Sequence, residues 1–219
     1  MKGQYLTRNR VYTKQEPSKD AKKIYIFCEG EKKEVRYFNY FQGLDSRINI
    51  LPIPNEDGKS DPMKLKQNAE ESFFPKTGNP KKDLSKEYND EVWFVIDTDR
   101  WNEGNKIETL KQFADEKSNN ENKWEVVQSN PCFEVWLYYH FFVKKPLSKD
   151  VNSFDSFKAY LDGSIKGGFD NRKHPVLLEK AIQNAEANYN EQNNQPDLYS
   201  TQVFRLGKSI LPFVKDKLI

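Results

Sequence analysis

The chain has 219 residues, with 35 Lys or Arg against 33 Asp or Glu and a formal net charge of +2. Near-neutral charge excludes binding of polyanions through overall electrostatics and leaves only local patches for that role. Its 15 Phe, 11 Tyr and 4 Trp exclude a disordered chain, and no run approaches the ~18 apolar residues needed to span a bilayer.

Residues 1–23 carry seven basic side chains against Glu16 and Asp20. They read as a basic N-terminal arm, either a solvated tail or a contact for phosphates. The arm lacks the apolar stretch of a signal peptide. Cys28 and Cys132 form no metal-ligand pattern. A soluble cytoplasmic protein is expected.

Ile24-Tyr25-Ile26-Phe27-Cys28 is a continuous apolar run, the signature of a central strand in a parallel sheet. Glu29-Gly30-Glu31 breaks it, and Val35, Phe38, Phe41 and Leu44 then recur at helical spacing. A short strand is expected over 48–53. Asp61-Pro62 reads as an N-cap followed by proline at the first helical position, and residues 75–90 as loop. Val92 to Ile96 is the strongest strand signal, ending in Asp97-Thr98-Asp99-Arg100. A helix around 107–113 and a strand over 124–127 come next, and Asn130-Pro131 reads as a second cap-and-proline helix start. Further helices are expected near 154–161, 176–190 and 201–214.

Strands alternating with helices over 24–142 predict an α/β core with a mostly parallel sheet and helices on both faces. Residues 143–219 read as a helical C-terminal extension packed on that core in one globular unit.

Ligands of open α/β sheets sit beyond the carboxyl ends of the strands. Two predicted strands end there in carboxylates: Glu29, and the pair Asp97 and Asp99. In extended chain, Asp97 and Asp99 point to one side with Cα atoms roughly 7 Å apart. If the two strands are adjacent, at about 4.8 Å spacing, the three groups converge on one small volume. Carboxylates without imidazole or thiolate make a hard oxygen site suited to Mg²⁺ or Mn²⁺, with one or two metals able to stabilise charge on a phosphate.

The segments carrying these residues resemble the RloB-like family. Residues 24–34 (IYIFCEGEKKE) with Tyr37-Phe38 resemble that family's opening strand and "CEGEKTE" turn. Residues 92–100 resemble its "DxD" segment, 129–141 its "SNPxFExWLxxHF" helix and 196–206 its C-terminal segment. Lys33 stands where the family has threonine, which removes a hydroxyl there and leaves the carboxylates untouched.

The resemblance implies a TOPRIM-like (Rossmann-like) fold. It also implies an abortive-infection, phage-defence setting beside an AAA- or ABC-type ATPase partner, with DNA or RNA (tRNA included) as substrate. Carried over by motif, Glu29, Asp97 and Asp99 are metal-associated and catalytic. Glu134, in the first turn of its helix, is a fourth catalytic candidate, although an acidic residue also suits a helix N-terminus. Arg100, Lys32 and Lys33 are candidate contacts to the substrate phosphate.

Glu31 and Glu34 are further candidates for the metal site, but both lie early in a helix, where acidic residues are favourable in any case. His140, Cys28 and Cys132 read as core residues, and Trp101 as a candidate base-stacking platform. The leading reading is a Mg²⁺-dependent nuclease. Alternatives are nicking and religation or primase-like polymerisation, a non-catalytic metal- or nucleic-acid-binding module within an ATPase complex, and a phosphoacceptor receiver-like domain. A homo-oligomer is compatible with each.

Overall fold

A computed structural model of the chain describes residues 4–5, 12–55, 61–98 and 105–218. They form two compact units, the first chiefly residues 13–96 and 105–126, the second chiefly 97–98 and 127–218.

Strand β1 (Lys22–Cys28) leads into helix α1 (Lys33–Asn39), β2 (Ile48–Ile53), α2 (Pro62–Phe73), β3 (Glu91–Asp97), α3 (Lys106–Lys117) and β4 (Lys123–Asn130). After β4 come α4 (Glu134–Tyr138), α5 (Phe157–Ser164), α6 (Leu178–Ala187), a two-residue strand β5 (Ser200–Thr201) and α7 (Val203–Val214). The sheet is five-stranded in the order β2-β1-β3-β4-β5. β1 is parallel to both its neighbours, with Ile24 opposite Ile50 on one side and Glu91 on the other. β5 runs antiparallel to β4. The expected mostly parallel α/β sheet with C-terminal helices is therefore present.

Both faces of β1 are covered. Tyr25 and Phe27 join Val92, Phe94 and Ile96 of β3 in a core closed by Leu65, Ala69 and Phe73 of α2 and Ile107, Leu110 and Phe113 of α3. Ile24, Ile26 and Cys28 alternate to the other face and are fully buried as well. α2 starts as its sequence demands: Asp61 accepts the Met63 N–H at 2.9 Å, and Pro62 follows in the first turn. The loop before β3 is fastened by Asp90, fully buried, which accepts the backbone N–H groups of Lys23 (2.7 Å) and Ser85 (2.8 Å).

In the second unit α6 and α7 pack closely. A Cβ on Gly207 would meet Ile182 Cγ1 at 2.9 Å, so the absent side chain sets the approach of the two helices. Among the described residues no helix is long and apolar enough to cross a membrane.

The structure corrects one helix start. Asn130 is the last residue of β4, pairs with Ser200, and is joined to Pro131 by a cis peptide bond. The helix begins only at Glu134. The Asn-Pro pair at 130–131 thus ends a strand and turns the chain instead of capping a helix.

Candidate active site at the strand ends

In the first unit the β1 ladder continues one residue beyond the strand: Glu29 donates its backbone N–H to the carbonyl of Val95 at 3.0 Å. Its side chain starts from that fixed point and is only 6% exposed. β1 lies between β2 and β3, so the chain leaves it to one side and returns on the other. The carboxyl ends at such a switch point are where doubly wound sheets receive ligands.

The turn after Glu29 is built around a second carboxylate. Glu34 is as buried as Glu29, and its Oε2 lies 2.2 Å from where a Cβ on Gly30 would sit. The absent side chain of Gly30 is what leaves room for the Glu34 carboxylate in this position. Sequence reasoning treated Glu34 as a favourable charge near a helix N-terminus; only the fold shows it tucked against the turn. Burial, and after it the Glu34 carboxylate, push the Cys28 thiol well above its ordinary range, so Cys28 is a core thiol. Glu31 and Lys32 are exposed and form a loose pair at 3.8 Å, and Lys33 is half-buried at the start of α1.

In the second unit Asp97 closes β3, and the next residue is clamped. Thr98 donates its N–H to the carbonyls of Ser129 (2.9 Å) and Pro131 (3.2 Å) and its hydroxyl to Ser129 O (2.9 Å). The Gln128 amide donates to Thr98 Oγ1 at 2.8 Å. Four bonds to one residue hold the carboxyl end of β3 rigid, which a positioned catalytic side chain needs.

Asp97 and Glu134 both act on Cys132. Burial is the first cause of that thiol's raised pKa, and the Glu134 and Asp97 charges add to it. The thiol also hydrogen-bonds the Glu134 side chain. Burial and the two carboxylates thus all favour the protonated thiol of Cys132. Glu134 is buried at 8% exposure and opens a helix of only five residues.

His140 is fully buried, its Nδ1 lies 3.1 Å from the Trp136 carbonyl, and its ring meets Trp136 and Phe169 edge-on. Burial lowers its pKa to about 3. It is a neutral core residue, as its apolar neighbours in sequence suggest. Asp99, Arg100 and Trp101 lie outside the described residues.

In the second unit Asp97 and Glu134 offer carboxylate oxygens, the hard ligands that a divalent cation such as Mg²⁺ takes. Among the described residues no group of three His, Cys, Asp or Glu side chains gathers as a metal cluster.

Comparison with known proteins adds the lineage. No curated protein and no solved structure matches the chain. The family model described as RloB-like protein matches residues 24–210, which include both strand-end segments, the helix of Glu134 and most of the C-terminal helices. The chain belongs to the RloB-like protein family.

Proposed function

We propose that this RloB-like chain is a Mg²⁺-dependent TOPRIM-type nuclease that cleaves phosphodiester bonds of DNA or RNA, as the effector of an abortive-infection anti-phage system with a partner ATPase. The observation that carries the reading is the parallel pairing of β1 with β3 at the switch point of the sheet, with Glu29 following one strand and Asp97 ending the other.

Glu29, Asp97 and Asp99 would hold the metal, which would supply charge stabilisation at the phosphate and a more acidic bound water. The protein's own residues do the rest. The Val95 and Ser129 carbonyls fix the backbone of the strand ends, and Gly30 lets Glu34 brace the turn that carries Glu29. Glu134 orients a proton-bearing group beside Asp97, and Arg100, Lys32 and Lys33 neutralise the substrate phosphate.

The test is cleavage of labelled DNA and RNA, tRNA included, with the neighbouring ATPase present. Mg²⁺-dependent cleavage by wild type and its loss in Glu29→Gln are expected. Identical cleavage by both proteins overturns the assignment. A second reading is a non-catalytic TOPRIM module that binds metal or nucleic acid within the ATPase complex. It predicts ATPase binding and no cleavage.

A further inference from the structure

The first unit carries an exposed aromatic platform at the opposite end of its strands. Phe74, the residue after α2, is 49% exposed although its neighbour Phe73 is in the core. Its ring stacks on Trp124 at 6.0 Å with 25° between planes. Trp124 is in turn packed edge-on against Phe73 and Phe113. The ring is thus exposed yet held at a fixed orientation. Burial of an aromatic yields about 25 cal/mol per Å² of covered surface, so the half of the Phe74 ring left in water is apolar area that a partner can still cover.

Two open clefts meet at this ring, of about 770 Å³ and 340 Å³, and Phe74 and Lys117 line both. Lys76 and Lys81 line the larger and Lys82 the smaller. Lys117 places its ammonium 4.8 Å over the Phe74 ring. None of these four lysines is paired with a carboxylate among the described residues. Acidic groups are present too. Glu70 and Glu71 line the larger cleft, and Asp83 of the smaller one is bound to Lys23 at 2.6 Å. Four unpaired ammonium groups against two carboxylates leave an excess of two positive charges around a stacking surface.

We propose that Phe74, with Lys76, Lys81, Lys82 and Lys117, is a docking site for an unpaired strand of nucleic acid, separate from the strand-end carboxylates. A base stacks on the exposed part of the Phe74 ring and the flanking phosphates lie against the lysines in the two clefts. Base stacking and phosphate contact together are how proteins hold single strands without reading their sequence. An apolar peptide would use the ring but not the four ammonium groups, and a simple anion would use the lysines but not the ring.

The platform lies by the amino ends of β3 and β4, whereas Glu29 follows the carboxyl end of β1. Seven strand residues separate such ends by roughly 20 Å, so the site anchors a strand without meeting the reacting phosphate. The inference rests on the reading of this chain as a protein that acts on nucleic acid, and it specifies how the substrate is held.

The experiment is fluorescence anisotropy of full-length protein with labelled 20-mers of deoxythymidine and of uridine, in EDTA so that nothing depends on metal. Phe74→Ala should weaken binding about tenfold, while Phe74→Trp restores it. Lys81→Gln and Lys117→Gln should each lower the slope of log K against log salt by about 0.7. Lys158→Glu, on an exposed lysine of the second unit, should leave the Phe74 effect intact. No binding by wild type at low salt, or equal binding by Phe74→Ala and Phe74→Trp in correctly folded proteins, overturns the proposal. Asp97→Asn separates the two readings. If wild type does not cleave but binding still depends on Phe74, docking stands and the nuclease reading falls. If cleavage needs Asp97 while Phe74→Ala binds as wild type, docking falls alone.

Discussion

The backbone N–H of Glu29 meets the Val95 carbonyl at 3.0 Å, two residues before Asp97 ends the neighbouring strand. One hydrogen bond thus ties the turn that bears Glu29 to β3 and fixes where its side chain begins. The turn's other constraint is Glu34, folded against Gly30.

That contact makes Gly30 testable. Gly30→Ala should displace the Glu34 carboxylate at a cost near the low end of the usual range of about 1–3 kcal/mol for an added methyl, because the obstacle is the end of a flexible side chain. In a Glu34→Ala background the same substitution should cost much less, because its obstacle is gone. A double-mutant cycle from chemical denaturation measures the coupling. Additive effects would remove the clash from the explanation.

Asp97→Asn tests the metal. Like charges at Asp97 and Glu134 both bear on Cys132, so removing one should leave stability unchanged or slightly higher. With Mg²⁺ at about ten times its dissociation constant, wild type should gain roughly 1.4 kcal/mol, or about 3–6 °C in Tm. The mutant should gain less and lose phage protection. Equal protection by the mutant would favour the binding-module reading.

Glu134→Gln keeps the shape of the side chain and its contact with Cys132 while removing the charge. If Glu134 serves the chemistry, cleavage should fall at least tenfold with little change in melting temperature. If its charge serves only the start of α4, stability should drop by about 0.3–1 kcal/mol and cleavage should persist.

His140 gives the second unit an acid sensitivity with a defined sign. Its folded pKa of about 3 lies below the ordinary value of 6.5, so the unfolded chain binds the proton more readily. Stability should therefore be unaffected by this group above pH 6.5 and fall as pH drops towards 3. The slope is at most about 1.4 kcal/mol per pH unit, for a total on the order of 4 kcal/mol. Burial lowers His174 in the same direction. Denaturation midpoints of wild type and His140→Gln between pH 7 and 4.5 should diverge by that slope. Parallel curves would mean the imidazole is not held neutral.

Much of this was legible in the sequence, because strands buried on both faces must be apolar throughout. The runs at 24–28 and 92–96 coincide with β1 and β3, and carboxylates after such runs mark strand ends without further information. The Asp61-Pro62 helix start was readable too, since a cap and a fixed φ act locally. Other features depend on contacts distant in sequence. β5 has two residues and pairs only because Asn130 and Ser129 lie opposite Ser200 and Thr201. Asn130-Pro131 has the letters of a helix start, but the same β4 pairing keeps Asn130 in the strand. The order that sets β1 between β2 and β3, the folding of Glu34 onto Gly30, and the exposure of Phe74 beside a buried Phe73 are likewise tertiary. Local sequence determines which segments become strands and which residues follow them; their neighbours, and the side chains left in water, are decided only when distant segments compete for the same core.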